Sequence, residues 1–164
     1  MRAMILAAGY GTSLQLLGEQ LPKPMLPVGH VALIEHVIAQ LTTAGIREVA
    51  VNSHHLEGAL EGFLGDGTSR GLQIHWSHEK GQILGTGGGV KRVRGFLGDE
   101  PFIVINGKIV SNIDLYAVAQ QHQATGALVT MVVRPDANAG QWGSLGCDGR
   151  GEVRSFLGRN QAGA

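Results

Sequence analysis

A glycine-rich segment near the start of the chain constrains the fold more than any other feature. Residues 5–29 read as an apolar strand, a glycine-containing loop and a turn in which Lys23 has a proline on either side. Glycine permits backbone conformations and close approaches that a Cβ atom would block, so the N–H groups around Gly9 and Gly11 can surround an anion. The prolines stiffen the backbone that carries the lysine charge. The segment predicts a phosphate-binding loop, although a tight strand-to-helix turn without a ligand explains it equally well.

Two common phosphate motifs are excluded. No Gly-Lys-Ser/Thr follows the loop at the spacing of a Walker A motif. The dinucleotide fingerprint is incomplete as well, because Leu14 occupies the position of its third glycine. The loop is therefore neither of these two phosphate-binding types.

Apolar runs alternate with helical patterns along the chain, which predicts an α/β sheet with helices on its faces. The predicted strands are 3–8, 48–52, 72–76, 101–106 and 127–133, and the predicted helices are 33–44, 56–64, 90–96 and 113–124. A hairpin of 144–147 with 152–156 follows. Residues 85–89, which include three consecutive glycines, are predicted to be a second glycine-rich loop that leads into a helix.

Composition limits the function classes. The chain has 164 residues, 13 basic and 13 acidic residues and a formal net charge of zero. No basic stripe indicates a nucleic-acid partner. A single cysteine, Cys147, excludes an intrachain disulfide and a cysteine metal cluster. We find no signal peptide and no apolar run long enough to span a membrane, and therefore expect a cytoplasmic protein with no membrane partner.

Four histidines are the other metal-ligand candidates in the sequence. His54, His55, His75 and His78 match no standard zinc spacing. We interpret them as surface histidines near strand ends, and we predict no metal site.

The ligand is expected beyond the carboxyl ends of the strands, where open α/β sheets bind small molecules. Three predicted loops fall there: 9–12, 85–89 and 106–112. The glycines of 85–89 open a helix, and their N–H groups could hold an anion or the polar edge of a base. An adaptable turn without a ligand is the alternative for this loop.

Five segments together resemble the sugar-phosphate nucleotidyltransferases, also called nucleoside-diphosphate-sugar pyrophosphorylases. They are LAAGYGT at 6–12, PKPMLPV at 22–28, LGTGGG at 84–89, VING at 104–107, and Trp142-Gly143 with 148–156. The threonine and the triple glycine are most similar to the N-acetylmuramate-1-phosphate uridylyltransferase and mannose-1-phosphate guanylyltransferase types. The resemblance implies a three-layer α/β/α Rossmann-like sandwich with a mixed, mostly parallel sheet. It also implies a nucleotidyltransferase-like domain over 1–157 and a tail over 158–164.

The resemblance also implies an activity, in which a nucleoside triphosphate and a sugar-1-phosphate give an NDP-sugar and pyrophosphate. Lys23 would be the catalytic residue and would neutralise charge on the α-phosphate and the sugar phosphate. The implied nucleotide-binding residues are Leu6, Ala7, Ala8 and Gly9 around base and ribose, Gly11 and Thr12 along the phosphates, and Gly85, Thr86 and Gly87 at the base. Asn106 would lie near the ribose or sugar.

Three departures from the family pattern bear on activity. Ser13 replaces an arginine that clamps the triphosphate, and Lys108 replaces the aspartate that binds Mg²⁺, the cofactor expected for the family. Phe156 is followed by Leu-Gly-Arg instead of x-Glu-Lys-Pro. Lys108 could bind phosphate directly, but an ammonium group repels Mg²⁺, which prefers oxygen ligands.

We therefore expect a nucleotidyltransferase-like domain with impaired catalysis. A non-catalytic regulatory module that binds a nucleotide or an NDP-sugar is the alternative, and whether the chain is an enzyme stays open. The expected partners are a nucleoside triphosphate, a sugar-1-phosphate or an NDP-sugar, and a homo-oligomer is compatible with the sequence.

Overall fold

The structure, a computed structural model, describes residues 1–11, 16–157 and 159–160. The chain divides into two compact units, Met1–Ala124 and Thr125–Ala164. None of the described helices has the length and apolar character that crossing a bilayer requires.

The first unit alternates strands and helices. In chain order its elements are β1 (Arg2–Leu6), α1 (Leu16–Gln20), β2 (Pro27–Val28), β3 (Val31–Ala32), α2 (Leu33–Thr43), β4 (Glu48–Ser53), α3 (Glu57–Leu64), β5 (Gln73–His78), α4 (Gly85–Arg92), α5 (Arg94–Leu97), β6 (Phe102–Asn106) and α6 (Leu115–Thr125), the last of which ends at the first residue of the second unit. Two 3₁₀ turns, Lys23–Met25 and Thr68–Arg70, complete it.

Four of these strands form a parallel sheet in the order β5-β4-β1-β6. Strand β1 lies inside the sheet, and its Ile5 pairs with Val51 on one side and Ile105 on the other. Because parallel strands need long crossovers, each connection carries a helix. Parallel pairing also aligns the carboxyl ends of all four strands at one edge, which is the edge where a ligand is expected.

The alternation of side chains along the strands gives the sheet two apolar faces. Ala3 and Ile5 of β1 pack in the larger cluster, which includes Val37 and Leu41 of α2 and Leu60 of α3. On the other face, the neighbouring strand residues pack against the two short helices α4 and α5; this second cluster contains Met4, Ala50, Val93 and Leu97. Helices therefore cover both faces of the sheet, and the predicted three-layer α/β/α fold with a mainly parallel sheet is confirmed.

Antiparallel pairing among the described strands is confined to two small ribbons, β2 with β3 and the three strands of the second unit. The second unit contains α7 (Ala139–Trp142), β7 (Leu145–Cys147), β8 (Val153–Phe156) and β9 (Arg159–Asn160). The predicted hairpin is confirmed, and its turn is organised by Asp148, whose carboxylate accepts hydrogen bonds from the N–H groups of Arg150 at 2.9 Å and Glu152 at 3.0 Å.

Two predicted elements are wrong. Residues 127–133 form no strand, and Leu128 and Val129 in this stretch are exposed. A strand requires a neighbour to accept its hydrogen bonds, and the described residues pair none with this segment. Residues 85–89 are not a loop but the first part of helix α4, which shows that a packed site can override the low helix propensity of glycine.

Candidate functional site

An open cavity lies at the carboxyl edge of the parallel sheet. It is lined by Leu6, Ala7, Ala8, Gly9, Gly11, Lys23, Pro24, Asn52, Ile83, Gly85, Thr86, Asn106 and Lys108. These residues come from the ends of β1, β4 and β6, from the 3₁₀ turn at Lys23 and from the start of α4. The cavity is therefore built at the edge where the topology predicts a ligand.

The loop after β1 is fixed to the neighbouring strand by a side chain. The N–H of Ala7 donates a 2.7 Å hydrogen bond to Oδ1 of Asn52, at the buried end of β4. Ala7 and Ala8 are buried, whereas Gly9 is exposed. The loop thus starts from a fixed point and presents the backbone of Gly9 and Gly11 to the cavity.

Lys23 is held by a rigid turn. The N–H of Met25 donates to the carbonyl of Pro22 at 2.8 Å, and the N–H of Leu26 donates to the carbonyl of Lys23 at 3.2 Å. Met25 packs against the larger core cluster, and Pro24 is buried. The half-buried lysine is therefore attached to the core of the unit through its neighbours.

Lys108 reaches the cavity from the loop after β6. The N–H of Gly107 donates to the carbonyl of Leu6 at 2.9 Å, and a Cβ on Gly107 would lie 3.0 Å from Cγ2 of Ile5. Glycine at this position lets the chain cross tightly over the end of β1. The Nζ of Lys108 then lies 4.0 Å from the point that a Cβ on Gly9 would occupy.

The charged groups that line the cavity are of one sign. Lys23 and Lys108 contribute two ammonium groups, and no carboxylate belongs to the described lining. Asn106 and Thr86 add neutral polar groups. This arrangement suits an anion with several oxygen atoms, since ammonium groups and backbone N–H groups both act as donors to it.

Ten of the residues predicted from sequence line this one cavity: Leu6, Ala7, Ala8, Gly9, Gly11, Lys23, Gly85, Thr86, Asn106 and Lys108. Gly87 is not among the lining residues, and Thr12 and Ser13 lie outside the described residues. Sequence reasoning missed Pro24, Asn52 and Ile83. Asn52 carried a usable signal, because it is a polar residue at the end of an apolar strand whose carboxyl end faces the site.

Each of the four histidines has different neighbours. His54 Nε2 is 2.9 Å from the hydroxyl of Tyr10, whereas the ring of His75 stacks on Phe96 with centroids 4.9 Å apart. His55 Nε2 contacts the carbonyl of Gly18 at 3.0 Å.

His78 has acidic neighbours. Its Nδ1 lies 3.0 Å from Oε1 of Glu61 and 3.5 Å from Oε2 of Glu57. The three side chains have ligand atoms within 4.8 Å of one another and could hold a metal ion, but they do not belong to the lining of the cavity.

Comparison with known proteins gives one consistent picture. A family model described as nucleotidyl transferase matches residues 2–158. A UTP–glucose-1-phosphate uridylyltransferase of Synechocystis sp. is 31% identical over 95% of this chain and 43% of that protein. An N-acetylmuramate alpha-1-phosphate uridylyltransferase of Neisseria meningitidis is 39% identical over 73% of this chain and 52% of that protein.

A solved structure of a UDP-glucose pyrophosphorylase complexed with UDP-glucose has the same fold, with a TM-score of 0.65 and 22% identity over 76% of this chain and 54% of that one. The chain spans about half the length of the curated relatives it matches.

Proposed function

This chain belongs to the nucleotidyl transferase family, and we propose that its cavity binds a nucleoside triphosphate or NDP-sugar while catalysing nucleotidyl transfer only weakly. The family reaction joins a nucleoside triphosphate to a sugar-1-phosphate. The binding half of the proposal and the catalytic half rest on different features of the cavity and are tested separately.

One observation carries the proposal. Backbone from two glycine-rich segments and two lysine ammonium groups meet at a single cavity whose described lining contains no carboxylate. A nucleoside polyphosphate has two corresponding parts: a flat base with hydrogen-bonding edges, and a phosphate chain with several negative charges. The small residues after β1 and at the start of α4 suit the base and ribose, and the lysines suit the phosphates.

Within this proposal each group has a defined task. Leu6, Ala7, Ala8 and Gly9 would contact the base and ribose, and Gly85, Thr86 and Gly87 would contact the base. Gly11 and Thr12 would follow the phosphates, and Asn106 would contact the ribose or sugar.

The chemical step is an in-line displacement at the α-phosphorus. A phosphate oxygen of the sugar-1-phosphate attacks the α-phosphorus and forms the new P–O bond. The bond between that phosphorus and the oxygen leading to the β-phosphate breaks, and pyrophosphate leaves with the electron pair. Lys23 would hold the two reacting phosphates together by neutralising their charge, which is positioning and electrostatic catalysis.

The residues of this cavity do not fit the Mg²⁺ ion on which the family generally depends. Mg²⁺ requires near-octahedral oxygen ligation and is usually bound through carboxylates. The lining offers Lys108 where the family has an aspartate, and two ammonium groups together repel a dication. We therefore route no step through a metal, and we attribute the expected weakness of catalysis to this difference.

Lys108 also favours a second candidate function, a regulatory module that binds a nucleotide or an NDP-sugar without converting it. Lys108 approaches Gly9 of the phosphate loop, so it can bind phosphate directly, but it cannot reproduce the ligand geometry of a metal ion. Retained binding with lost turnover is the outcome that this substitution would produce.

Two measurements test the proposal. Melting temperatures with UTP, GTP and their NDP-sugars should rise with at least one of these ligands, because binding to the native state alone stabilises it. Formation of NDP-sugar from the bound nucleotide and a sugar-1-phosphate should be weak or undetectable with and without Mg²⁺. If no ligand raises the melting temperature, the binding proposal is wrong; if Mg²⁺-dependent product formation is fast, the proposal of weak catalysis is wrong.

The double substitution Lys108→Asp with Ser13→Arg separates the two candidate functions. Recovery of Mg²⁺-dependent product formation would identify an enzyme weakened at these two positions. Continued inactivity with intact nucleotide binding would favour the regulatory module. The single substitution Lys80→Asp, at an exposed lysine outside the lining, is the matched charge control.

A further inference from the structure

A buried carboxylate outside the cavity lining is linked by hydrogen bonds to both glycine-rich segments, directly at the start of α4 and through Asn52 at the loop after β1. Glu79 directly follows β5 and is 1% exposed. Its Oε1 accepts a hydrogen bond from Nδ2 of Asn52 at 2.8 Å, and its Oε2 accepts one from the N–H of Leu84 at 2.8 Å. A buried carboxylate is costly unless donors compensate it, so a side chain placed here with both oxygens in use calls for an explanation beyond packing.

The two groups that donate to Glu79 connect it to different segments of the site. Asn52 accepts the N–H of Ala7, where the loop after β1 begins. Leu84 is the residue before helix α4, so its N–H sets the point from which Gly85 and Thr86 enter the cavity. A continuous chain of hydrogen bonds therefore connects the loop after β1 with the start of α4 through Asn52 and Glu79.

Glycine at position 89 lets helix α4 approach the hydrogen bond between Asn52 and Glu79. A Cβ at Gly89 would lie 3.1 Å from Nδ2 of Asn52 and 3.1 Å from Oε1 of Glu79, which is tighter than ordinary contact. Gly89 is buried inside α4 and does not adopt a positive φ angle. Its lack of a side chain is thus explained by the approach of the helix to the Asn52–Glu79 pair and not by backbone conformation.

We propose that Glu79 is a positioning residue that sets the separation of the two glycine-rich segments and thereby the affinity of the site for the nucleoside part of its ligand. This inference rests on the proposed function, in which the parts of the two segments nearest these hydrogen bonds, at Ala7 and at the start of α4, contact the base and ribose. In that function the phosphates are contacted by the lysines and by Gly11 and Thr12 further along the first segment. Lys23 and Lys108 are held by the 3₁₀ turn and by the loop after β6, neither of which hydrogen-bonds to Glu79 in the described structure. Loss of the Glu79 contacts should therefore weaken nucleoside binding selectively.

The test compares two ligands in isothermal titration calorimetry, UTP and inorganic pyrophosphate, with GTP replacing UTP if the wild type prefers it. In Glu79→Gln the amide NH₂ group replaces one acceptor oxygen and faces a donor. We expect the affinity for the nucleotide to fall about tenfold, the size of one lost charge-assisted hydrogen bond, with pyrophosphate affinity changed by less than about twofold. Glu100→Gln, at an exposed glutamate outside the lining, should change neither affinity.

A second variant keeps the test independent of folding problems at Glu79. Gly89→Ala raises helix propensity in α4, so a purely structural role for this region predicts unchanged nucleotide binding. The proposal predicts that the added Cβ separates Asn52 from Glu79 and lowers nucleotide affinity with pyrophosphate affinity retained. Unchanged nucleotide affinity in this folded variant, or an equal loss for both ligands, would overturn the inference. If the wild type itself binds none of UTP, GTP, their NDP-sugars and pyrophosphate, the proposed function fails instead, and the two failures are distinguishable.

Discussion

Two lysine side chains determine the charge of the cavity. Lys23 is half-buried in a turn fixed by its neighbours, whereas Lys108 is exposed on the loop after β6. The formal net charge of the chain is zero, so the positive character of the site arises from where these two groups are placed. A ligand with several negative charges would interact with both.

Lys108→Ala tests the contribution of the exposed lysine. Removing an ammonium group that contacts phosphate should lower UTP affinity in Mg²⁺-free buffer by about tenfold and weaken its dependence on salt concentration. Calorimetry at two salt concentrations measures both effects. Lys80→Ala serves as the matched control and should leave both unchanged; an equal response of the two variants would contradict a specific role for Lys108.

Most of the residues around the cavity are expected from the sequence, because five segments resemble those of the nucleotidyltransferase family and the resemblance implies the site residues. Glu79 and Asn52 could not be assigned their contacts in this way. Their hydrogen bond joins residues that are 27 positions apart, and it depends on the parallel register that sets Asn52 opposite Ser77. A polar residue near a strand end is visible in the sequence, but its partner is set by tertiary structure.

At the level of elements, the four strands of the parallel sheet and the helices α2, α3 and α6 could be predicted because their apolar patterns are strong, whereas the short elements α1, β2 and β3 were not predicted. The two wrong predictions have opposite causes. Residues 127–133 have strand-like composition but no paired neighbour among the described residues, and composition alone does not satisfy backbone hydrogen bonds. Residues 85–89 are rich in glycine, yet the Leu84 N–H contact with Glu79 and packing beneath α4 support a helix there.

The turn between α3 and β5 gives a prediction about stability. Gly67 has a φ angle of +85°, and a Cβ there would lie 2.8 Å from Cγ1 of Ile74 and 3.0 Å from the carbonyl oxygen of Leu72. Gly71 also has a positive φ angle, +75°, but a Cβ there would meet nothing within 4 Å. Gly67→Ala should therefore lower the free energy of unfolding by about 1–3 kcal/mol more than Gly71→Ala does. Urea unfolding of both variants measures the difference, and equal losses would show that steric contact is unimportant at Gly67.

The hairpin turn of the second unit gives a prediction about pH. The hydrogen bond from Arg154 lowers the pKa of Asp148 below its ordinary value of 3.8, and the N–H groups of Glu152 and Arg150 lower it further. Because the folded-state pKa is depressed, the stabilisation is present above pH 3.8 and is lost as the pH falls through the lower folded-state value. An NMR titration should place the Asp148 midpoint below 3.8, and Arg154→Ala should move it upward. A midpoint at or above 3.8 in the wild type would contradict the turn geometry.

At the level of the whole molecule, the parallel sheet brings separate parts of the sequence to one edge. Leu6 and Asn106 end β1 and β6, and Asn52 is the residue before the end of β4. The three residues are paired in register across adjacent strands, although they are far apart in the chain. The same architecture occurs in the family to which the chain belongs. At that edge two lysines line the cavity, and the described lining has no carboxylate.

The dependence of UTP affinity on Mg²⁺ tests this central claim most directly. Calorimetry should show that the wild type binds UTP in EDTA at least as tightly as in Mg²⁺. The ammonium groups already neutralise the phosphates, and Mg²⁺ bound to UTP lowers the negative charge that attracts UTP to them. Lys108→Asp should reverse the order and bind more tightly in Mg²⁺ than in EDTA. A wild-type affinity that rises about tenfold or more on addition of Mg²⁺ would contradict the account, since it would mean that the cavity recruits a metal ion despite its two lysines.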